Sequence, residues 1–230
     1  MADDLEKPLI YLITSGASTP ATTVASEEFL DLLKLVSAAV SANIPLIQIR
    51  EKNLTARVLT KLTERAAELI RGTRTRLLVN DRADIALAAG ADGVHLSTTS
   101  MPARVVRRTF GPKVLLGVST HSLAELECAN RDGADFAVFG PVFATETKRA
   151  FGPPLGLELL AEASRRVAPW PVFALGGLSL DNVADCFRAG ASGVAGISML
   201  SDPAKLREIV LRVREMYEQS TGTDRSKTQA

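Results

Sequence analysis

Eight short apolar runs are spaced along the chain, and a segment with helical periodicity follows each of them. Strands that alternate with helices pair in parallel through right-handed crossovers. The predicted strands are Leu9–Thr14, Leu46–Arg50, Arg76–Asn80, Gly93–Leu96, Val114–Ser119, Phe136–Gly140, Pro171–Leu175 and Gly193–Ser198. The 230 residues suit one large domain of this kind. The pattern therefore predicts an α/β protein with a single-domain (β/α)8 (TIM) barrel, and an open doubly wound sheet is the alternative.

A weak internal repeat supports this organisation. Ala89–Val94, Asp132–Phe136 and Ala189–Val194 each combine a glycine with small residues between a predicted helix and the next predicted strand. Glycine allows the left-handed backbone that ends many helices, and small neighbours let the next strand pack closely. We expect residues 1–219 to form the barrel domain and the polar residues 220–230 to form a disordered tail.

The composition excludes several classes of function. Hydrophobic residues make up 46% of the chain and aromatic residues only 5%, which is typical of aliphatic, buried parallel strands. The 27 basic and 26 acidic residues leave no charge excess that would attract nucleic acid or an anionic membrane. The chain has neither the order of a signal peptide nor an apolar run of the ~20 residues that span a bilayer. We predict a cytoplasmic protein with small-molecule ligands, and homo-oligomerisation stays open.

Four individual residues receive structural interpretations. Cys128 and Cys186 lie in predicted helices without metal or redox spacing, so both are predicted to be reduced, buried residues. His95 and His121 occur at the ends of predicted strands without an obvious carboxylate partner, and we interpret them as ordinary hydrogen-bonded histidines.

Polar side chains cluster where the second and third predicted strands end. Gln48, Arg50 and Lys52 occupy alternate positions, so they point the same way and offer an amide and two cations that suit phosphate oxygens. The alternative is that Arg50 pairs with Glu51 at the barrel rim. Asn80-Asp81 follows the third strand, where Asp could bind Mg2+, or where either residue could cap the next helix. Because carboxyl ends of barrel strands converge on one mouth, we expect these groups to share a site.

Two later regions have the chemistry of phosphate binding. The long loop Phe143–Pro154 carries the hydroxyls of Thr145 and Thr147 and the cation of Lys148, and loops of this length are often lids. Gly176-Gly177 and Gly196–Ser198 follow strands seven and eight, where barrels often bind a phosphate. Glycines let backbone N–H groups approach an anion, although turn glycines without a ligand are the alternative.

Five motifs together resemble the thiamine phosphate synthase family and its relatives, the TenI-type thiazole tautomerases. They are Gln48–Lys52, Asn80–Arg82, Gly90–Leu96, Gly117–His121 and Phe139–Lys148. The resemblance extends from Tyr11 to Ser198 and implies a transferase of thiamine biosynthesis. In the synthases an aminopyrimidine methyl diphosphate loses pyrophosphate, and the nitrogen of a thiazole phosphate captures the resulting carbocation.

The resemblance also implies a role for each site residue. The pyrimidine diphosphate would bind to Gln48, Arg50, Lys52, Asn80 and Ser119. The thiazole or the pyrophosphate would be reached by Thr145, Thr147 and Lys148. The thiazole phosphate would bind to Gly177 and to the Gly196–Ser198 turn, which includes Ile197. Arg50, Lys52 and Lys148 would be catalytic through their charge, and Asp81 would bind Mg2+.

The chain departs from both branches of this family at one position each. Synthases typically read His-Leu-Gly-Gln-Glu-Asp after strand four, whereas this chain reads His95-Leu96-Ser97-Thr98-Thr99-Ser100, so Ser100 replaces the second metal-binding carboxylate. The tautomerases use a histidine where this chain has Pro141. Three hypotheses follow: a synthase, a tautomerase, or a regulatory barrel that binds a thiazole or pyrimidine phosphate without turnover. The retained cations and Asp81 favour the synthase.

Overall fold

The computed structural model describes residues 7–145 and 153–222. Its strands are β1 (Leu9–Ile13), β2 (Leu46–Ile49), β3 (Arg76–Asn80), β4 (Gly93–Leu96), β5 (Leu115–Thr120), β6 (Phe136–Phe139), β7 (Val172–Leu175) and β8 (Gly193–Gly196). Its α-helices are α1 (Glu27–Ser41), α2 (Ala56–Ile70), α3 (Ala83–Ala88), α4 (Ala103–Phe110), α5 (Leu123–Arg131), α6 (Gly156–Arg166), α7 (Val183–Arg188) and α8 (Leu206–Gly222). A short 3-10 helix, Ser198–Leu200, lies between β8 and α8.

The eight strands close into one parallel barrel. Each strand pairs with the next along the chain, and β1 also pairs with β8, where Leu9 lies opposite Gly193. Every strand residue of β1, β2, β4, β6 and β8 is buried, as expected for strands covered by helices on one face and by the barrel interior on the other. The predicted (β/α)8 barrel is therefore confirmed, and the open sheet is excluded.

Alternate strand residues build two separate apolar layers. Outward-facing residues such as Ile47 and Leu77 pack against the helices. Inward-facing residues fill the barrel, and the rings of Tyr11, Phe136 and Phe173 meet there with centroids 5.1–5.9 Å apart. Their packing fills the barrel interior with side chains.

The strand boundaries differ from the predicted ones by at most two residues. Helix α7 begins at Val183, directly after a turn in which the Ser179 amide donates to Asn182 Oδ1. The last helix continues to Gly222, three residues into the segment assigned to the tail, and the rest of that segment lies outside the described residues. In the part of the chain that the structure describes, no helix has the length and hydropathy needed to cross a membrane.

Both cysteines are free, but only one is buried. Cys186 lies in the helix-facing core, and burial raises the pKa of its thiol to about 12, so it stays a neutral apolar residue. Cys128 is exposed on α5, which makes the predicted burial wrong for this residue. Cys128 is exposed because it lies on the solvent side of an amphipathic helix, whose core side carries Leu126 and Ala129.

Candidate active site

The carboxyl ends of the strands form one face of the barrel, which we call the mouth. Every described residue of the predicted site lies there, on β2, β3 and β5 or on the segments that follow β2, β3, β4, β6, β7 and β8. These residues are Gln48, Arg50, Lys52, Asn80, Asp81, Ser100, Ser119, Thr145, Gly177, Ile197 and Ser198. Thr147 and Lys148 lie outside the described residues.

Four side chains form an inner polar layer beneath the mouth: Tyr11, Gln48, His95 and Ser119. The Gln48 Nε2 amide donates to the Tyr11 hydroxyl over 2.9 Å, and His95 Nε2 lies 2.9 Å from Ser119 Oγ. Tyr11 and His95 connect the two pairs, since their ring centroids are 5.7 Å apart. Tyr11, Gln48 and His95 are almost fully buried, whereas Ser119 is partly exposed to the mouth.

The inner polar layer is uncharged at neutral pH. Burial raises the pKa of Tyr11, against a smaller opposite effect of the Gln48 hydrogen bond. Burial also lowers the pKa of His95 to about 4, and the charges of Asp81 and Arg50 largely oppose each other there. A neutral, hydrogen-bonding surface under the mouth suits an uncharged polar ring better than a phosphate.

The Asp81 carboxylate is held by the segment after β4. Its Oδ1 accepts from the Ser97 backbone amide at 2.8 Å and from the Ser100 hydroxyl, and its Oδ2 accepts from Ser97 Oγ at 3.0 Å. Asn80 Nδ2 also donates to Oδ2 over 2.8 Å. Asp81 has a positive φ of 60°, a backbone conformation that Asp and Asn tolerate better than most residues. The N-cap of α3 is Arg82, and no side-chain hydrogen bond caps this helix, so the capping alternative is wrong.

Asp81 is ionised at neutral pH. Its half-burial acts to raise the pKa, but hydrogen bonds from Ser100 and Ser97, together with the charge of Lys52, outweigh burial and lower the pKa below its ordinary value. The influence of Lys52 also indicates that the cation after β2 and the carboxylate after β3 are near one another. The mouth thus combines an anion and a cation within one small region.

The Glu51 carboxylate binds the segment after β1 and not Arg50, the partner considered in the sequence analysis. Its buried carboxylate accepts from the Gly16 amide at 3.0 Å, the Ser18 amide at 3.1 Å and the Ser18 hydroxyl at 2.5 Å. The alternative of an Arg50–Glu51 pair is therefore wrong, because Glu51 ties the segment after β1 to β2 instead. The Arg50 amide donates to Thr14 Oγ1 over 2.8 Å, so the same two strand ends are joined twice.

The glycines after β7 are needed for close packing against the segment after β6. Gly177 has a φ of 63°, and a Cβ there would lie 2.5 Å from the Ala144 carbonyl oxygen. Val142 and Phe143 donate backbone hydrogen bonds to Leu175 and Gly176 over 2.8 and 3.0 Å. These contacts hold the first part of the β6–α6 segment, up to Ala144, beside the turn after β7.

The segment after β8 leads directly into the 3-10 helix Ser198–Leu200. Ser198 is exposed at the start of this helix and Ile197 packs against the barrel interior. A short extra helix after the last strand is where barrels of this class frequently bind a phosphate. The backbone N–H groups at the start of a helix have the chemistry that binds anions.

Sequence reasoning missed Tyr11, Ser18, Glu51 and Ser97 as parts of the mouth. Tyr11 could have been found, because it alternates with the inward-facing Leu9 and Ile13 on β1. The His95 ring is hydrogen-bonded as predicted, to Ser119. The backbone amide of His121 donates to Glu125 Oε2 over 2.7 Å. The Nδ1 atom of His121 lies 3.5 Å from the same carboxylate oxygen, which is a partner that the sequence did not suggest.

The donors at the mouth fit magnesium only in part. Within residues 7–145 and 153–222, no three His, Cys, Asp or Glu side chains come together as a metal-binding group. The available donors are the Asp81 carboxylate and the hydroxyls of Ser97 and Ser100, all oxygen atoms with a single negative charge. Magnesium is often bound by one or two carboxylates together with substrate phosphates and water. This donor set therefore fits the ion when a phosphorylated ligand completes its coordination.

A groove of about 450 Å3 lies at the opposite end of the barrel. Glu64, Glu68, Arg71, Arg76 and Asp92 line it with both signs of charge. Asp92 is already engaged there, since it accepts from the Leu77 amide over 2.8 Å and from Arg76. The groove has no unpartnered buried polar atom among its described residues, so its size alone does not make it the functional site.

Cations, an ionised carboxylate and two glycine-containing turns at the carboxyl end of a closed parallel barrel define a class of enzymes that act on phosphorylated small molecules. The sequence profile described as "Thiamine monophosphate synthase" matches residues 11–200. The chain belongs to this thiamine monophosphate synthase family.

Individual relatives agree with this assignment. The thiamine-phosphate synthase of Moorella thermoacetica is 40% identical over 190 residues, which cover 83% of this chain and 90% of the relative. That of Anaeromyxobacter dehalogenans is 41% identical over 209 residues, which cover 91% and 87%. The solved structure of thiamine phosphate pyrophosphorylase from Pyrococcus furiosus superposes with a TM-score of 0.75 at 29% identity, and the match covers 93% of this chain and 98% of that one.

Proposed function

We propose that the chain is a thiamine-phosphate synthase that joins 4-amino-2-methyl-5-hydroxymethylpyrimidine diphosphate to thiazole phosphate and releases pyrophosphate. The observation that carries the proposal is the arrangement around the mouth. Arg50, Lys52 and Asp81 lie at the ends of β2 and β3, and the phosphate-type turns lie after β7 and β8. One mouth thus offers charges for a diphosphate and a separate place for a phosphate.

The reaction requires the site to stabilise negative charge as it develops on the leaving group. The bond between the pyrimidine methylene carbon and the diphosphate oxygen breaks, and its electron pair leaves with pyrophosphate. The thiazole nitrogen then uses its lone pair to form the new C–N bond. Arg50 and Lys52 interact more strongly with the departing pyrophosphate than with the intact diphosphate ester, because negative charge builds up on the leaving group. Such differential charge stabilisation accelerates the step.

Magnesium belongs to the proposal as a cofactor held mainly by Asp81. When bound, the ion would neutralise charge on the diphosphate as a Lewis acid. Asp81 supplies the ionised carboxylate, and Ser97 and Ser100 can turn their hydroxyl oxygens toward the ion once they release Asp81. Lys52, which already lies near Asp81, would balance the charge of the phosphates from the other side.

The hypothesis of a transferase, a thiamine-phosphate synthase, is better supported than that of an isomerase, a thiazole tautomerase. The relatives described above carry synthase or pyrophosphorylase names. Pro141 occupies the position of the tautomerase histidine and packs against Gly176, where an added Cβ would lie 2.5 Å from the proline Cβ. A group that serves packing and cannot titrate offers no base for a tautomerisation.

The deciding experiment is a coupling assay with the purified chain, both phosphorylated substrates and magnesium, in which thiamine phosphate is followed by mass spectrometry. We expect product that disappears with EDTA and returns with added Mg2+. Lys52→Ala should reduce kcat/KM, whereas Lys113→Ala, an exposed lysine that precedes β5 at the other end of the barrel, should not. Absence of product from the wild-type chain, with thiazole phosphate still raising its Tm, would instead favour a binding protein.

A further inference from the structure

The buried His95 ring uses only one of its two nitrogens. Nε2 lies 2.9 Å from Ser119 Oγ, and Nδ1 is buried with no hydrogen-bond partner among the described residues. The space around Nδ1 is filled: a Cβ on Gly117 would come within 2.7 Å of this atom and would also overlap the Phe136 ring. The Nδ1 side of the ring is therefore packed against Gly117, close to Phe136, while the Nε2 side faces Ser119.

This asymmetry selects one tautomer. A buried N–H group without an acceptor is among the rarest features of native proteins, and an unused acceptor lone pair is better tolerated. An Nδ1–H tautomer and an imidazolium would both bury such an N–H beside Gly117. The remaining form carries its proton on Nε2 and leaves the lone pair on Nδ1.

The tautomer determines the hydrogen-bonding polarity of Ser119. With Nε2 protonated, His95 donates and Ser119 Oγ accepts, which leaves the hydroxyl proton of Ser119 unused. Among residues 7–145 and 153–222, Ser119 Oγ has no second hydrogen-bond partner. Because Ser119 is the partly exposed member of the inner polar layer, its free proton is available to a ligand at the mouth.

We propose that His95, as the Nε2–H tautomer, is a positioning residue that makes Ser119 a hydrogen-bond donor to a ring nitrogen of the aminopyrimidine. The inference rests on the proposed function for the identity of the ligand. An uncharged heteroaromatic acceptor matches the neutral inner polar layer, whereas the phosphates match Arg50 and Lys52 farther out. His95 itself lies too deep to contact the ligand, and it acts through Ser119.

The tautomer can be tested on the ligand-free protein. The chain has two histidines, so a spectrum of 15N-labelled imidazoles contains two ring systems, and His121→Gln assigns them. At neutral pH we expect His95 to show a protonated, pyrrole-type Nε2 and an unprotonated, pyridine-type Nδ1. A protonated Nδ1, alone or together with Nε2, would overturn the proposal.

Binding experiments test the role of Ser119. Ser119→Ala should weaken binding of the pyrimidine diphosphate roughly five- to tenfold, the range of one neutral hydrogen bond. Two analogues, each with one ring nitrogen replaced by C–H, provide the comparison. The analogue that lacks the ring nitrogen contacted by Ser119 cannot accept this hydrogen bond. We therefore expect Ser119→Ala and the wild type to bind that analogue equally. Equal weakening for all three ligands would mean that Ser119 has only a packing role.

Two substitutions of His95 separate positioning from structure. Gln can place an amide N–H near the position of Nε2, and Asn can place one only near the position of Nδ1. His95→Gln should therefore retain wild-type affinity within about twofold, and His95→Asn should match Ser119→Ala. If both variants lose the same affinity at unchanged Tm, the proposal fails. Failure of the proposed function would appear separately, as absence of product with the wild-type chain.

Discussion

The Ser100 hydroxyl donates a hydrogen bond to the Asp81 carboxylate, where the resemblance to synthases implies a second carboxylate. Together with the Ser97 amide and hydroxyl, it occupies the oxygens that a cation would use. Under the proposed function, Ser100 would contribute an oxygen ligand but no charge. The magnesium affinity of the mouth would then depend on the substrate phosphates and on Asp81.

Ser100→Asp should lower the magnesium concentration that gives half-maximal activity. A second carboxylate beside Asp81 adds negative charge, and repulsion between the two is relieved when the ion binds. Ser100→Ala is the matched control, since it removes the same hydroxyl without adding charge, and it should not lower the magnesium requirement. Titration of activity with Mg2+ distinguishes the two variants. No shift for Ser100→Asp would show that residue 100 does not contribute to the ion site.

Asp81→Asn should reduce kcat/KM on the order of 100-fold. Loss of a group that only orients a metal ligand already lowers metal affinity or activity about 10–100-fold, and Asp81 is the proposed ligand itself. Asn keeps the shape of the side chain but removes its charge. Asp84→Asn is a suitable control, since Asp84 is an exposed carboxylate three residues away that pairs with Arg82. Full activity of Asp81→Asn in the presence of Mg2+ would remove the proposed metal role.

Glu51→Ala should destabilise the fold by about 3 kcal/mol, since it leaves the Gly16 and Ser18 amides without their buried acceptor. Ser18→Ala removes one of the three hydrogen bonds and should cost about 1 kcal/mol. Unfolding by urea measures both values. The double variant should have the same free energy of unfolding as Glu51→Ala, within a few tenths of a kcal/mol. Additive losses would mean that the two residues act independently.

Gly177→Ala should destabilise the protein more than Gly72→Ala. Both glycines have a positive φ, 63° and 78°, so both substitutions carry the left-handed backbone cost of about 1–2 kcal/mol. A Cβ at Gly72 meets nothing within 4 Å, whereas one at Gly177 meets the Ala144 carbonyl oxygen at 2.5 Å. The excess loss in Gly177→Ala measures the packing of the turn after β7, and we expect weaker thiazole phosphate binding with it. Equal losses would show that this packing relaxes freely.

The stability of the wild-type protein should fall as the pH decreases from 6.5 toward 4. The pKa of His95 is about 4 in the folded protein, while an unfolded histidine titrates near its ordinary value, so the unfolded chain takes up the proton first. The free energy of unfolding should drop by about 2 kcal/mol between pH 7 and pH 5 from this residue alone. His95→Gln lacks the titrating group and should show a pH dependence that is shallower by this amount. Identical profiles would contradict the buried neutral state.

The barrel and its mouth could be predicted because the signals for them are local. Apolar runs and helical periodicity are read within a few residues, and the carboxyl ends of parallel strands converge whatever the details of packing. The positions of Gln48, Arg50, Asn80 and Ser119 at the mouth follow from this geometry. The wrong prediction of a buried Cys128 and the rejected alternative of an Arg50–Glu51 pair both concern which neighbour a side chain has after folding.

Which groups meet inside the mouth was decided by closure of the barrel. Ser18 and Glu51 are 33 positions apart, Tyr11 and Gln48 are 37 apart, and His95 and Ser119 are 24 apart. No periodic pattern reports contacts over such separations, because they depend on the register between strands and on the conformation of the connecting segments. The amino-acid sequence by itself thus determines the fold class and the chemical groups available at the mouth of the barrel. The protonation of His95, the donor role of Ser119 and the partners of Asp81 exist only once distant strands are packed side by side and shielded from water.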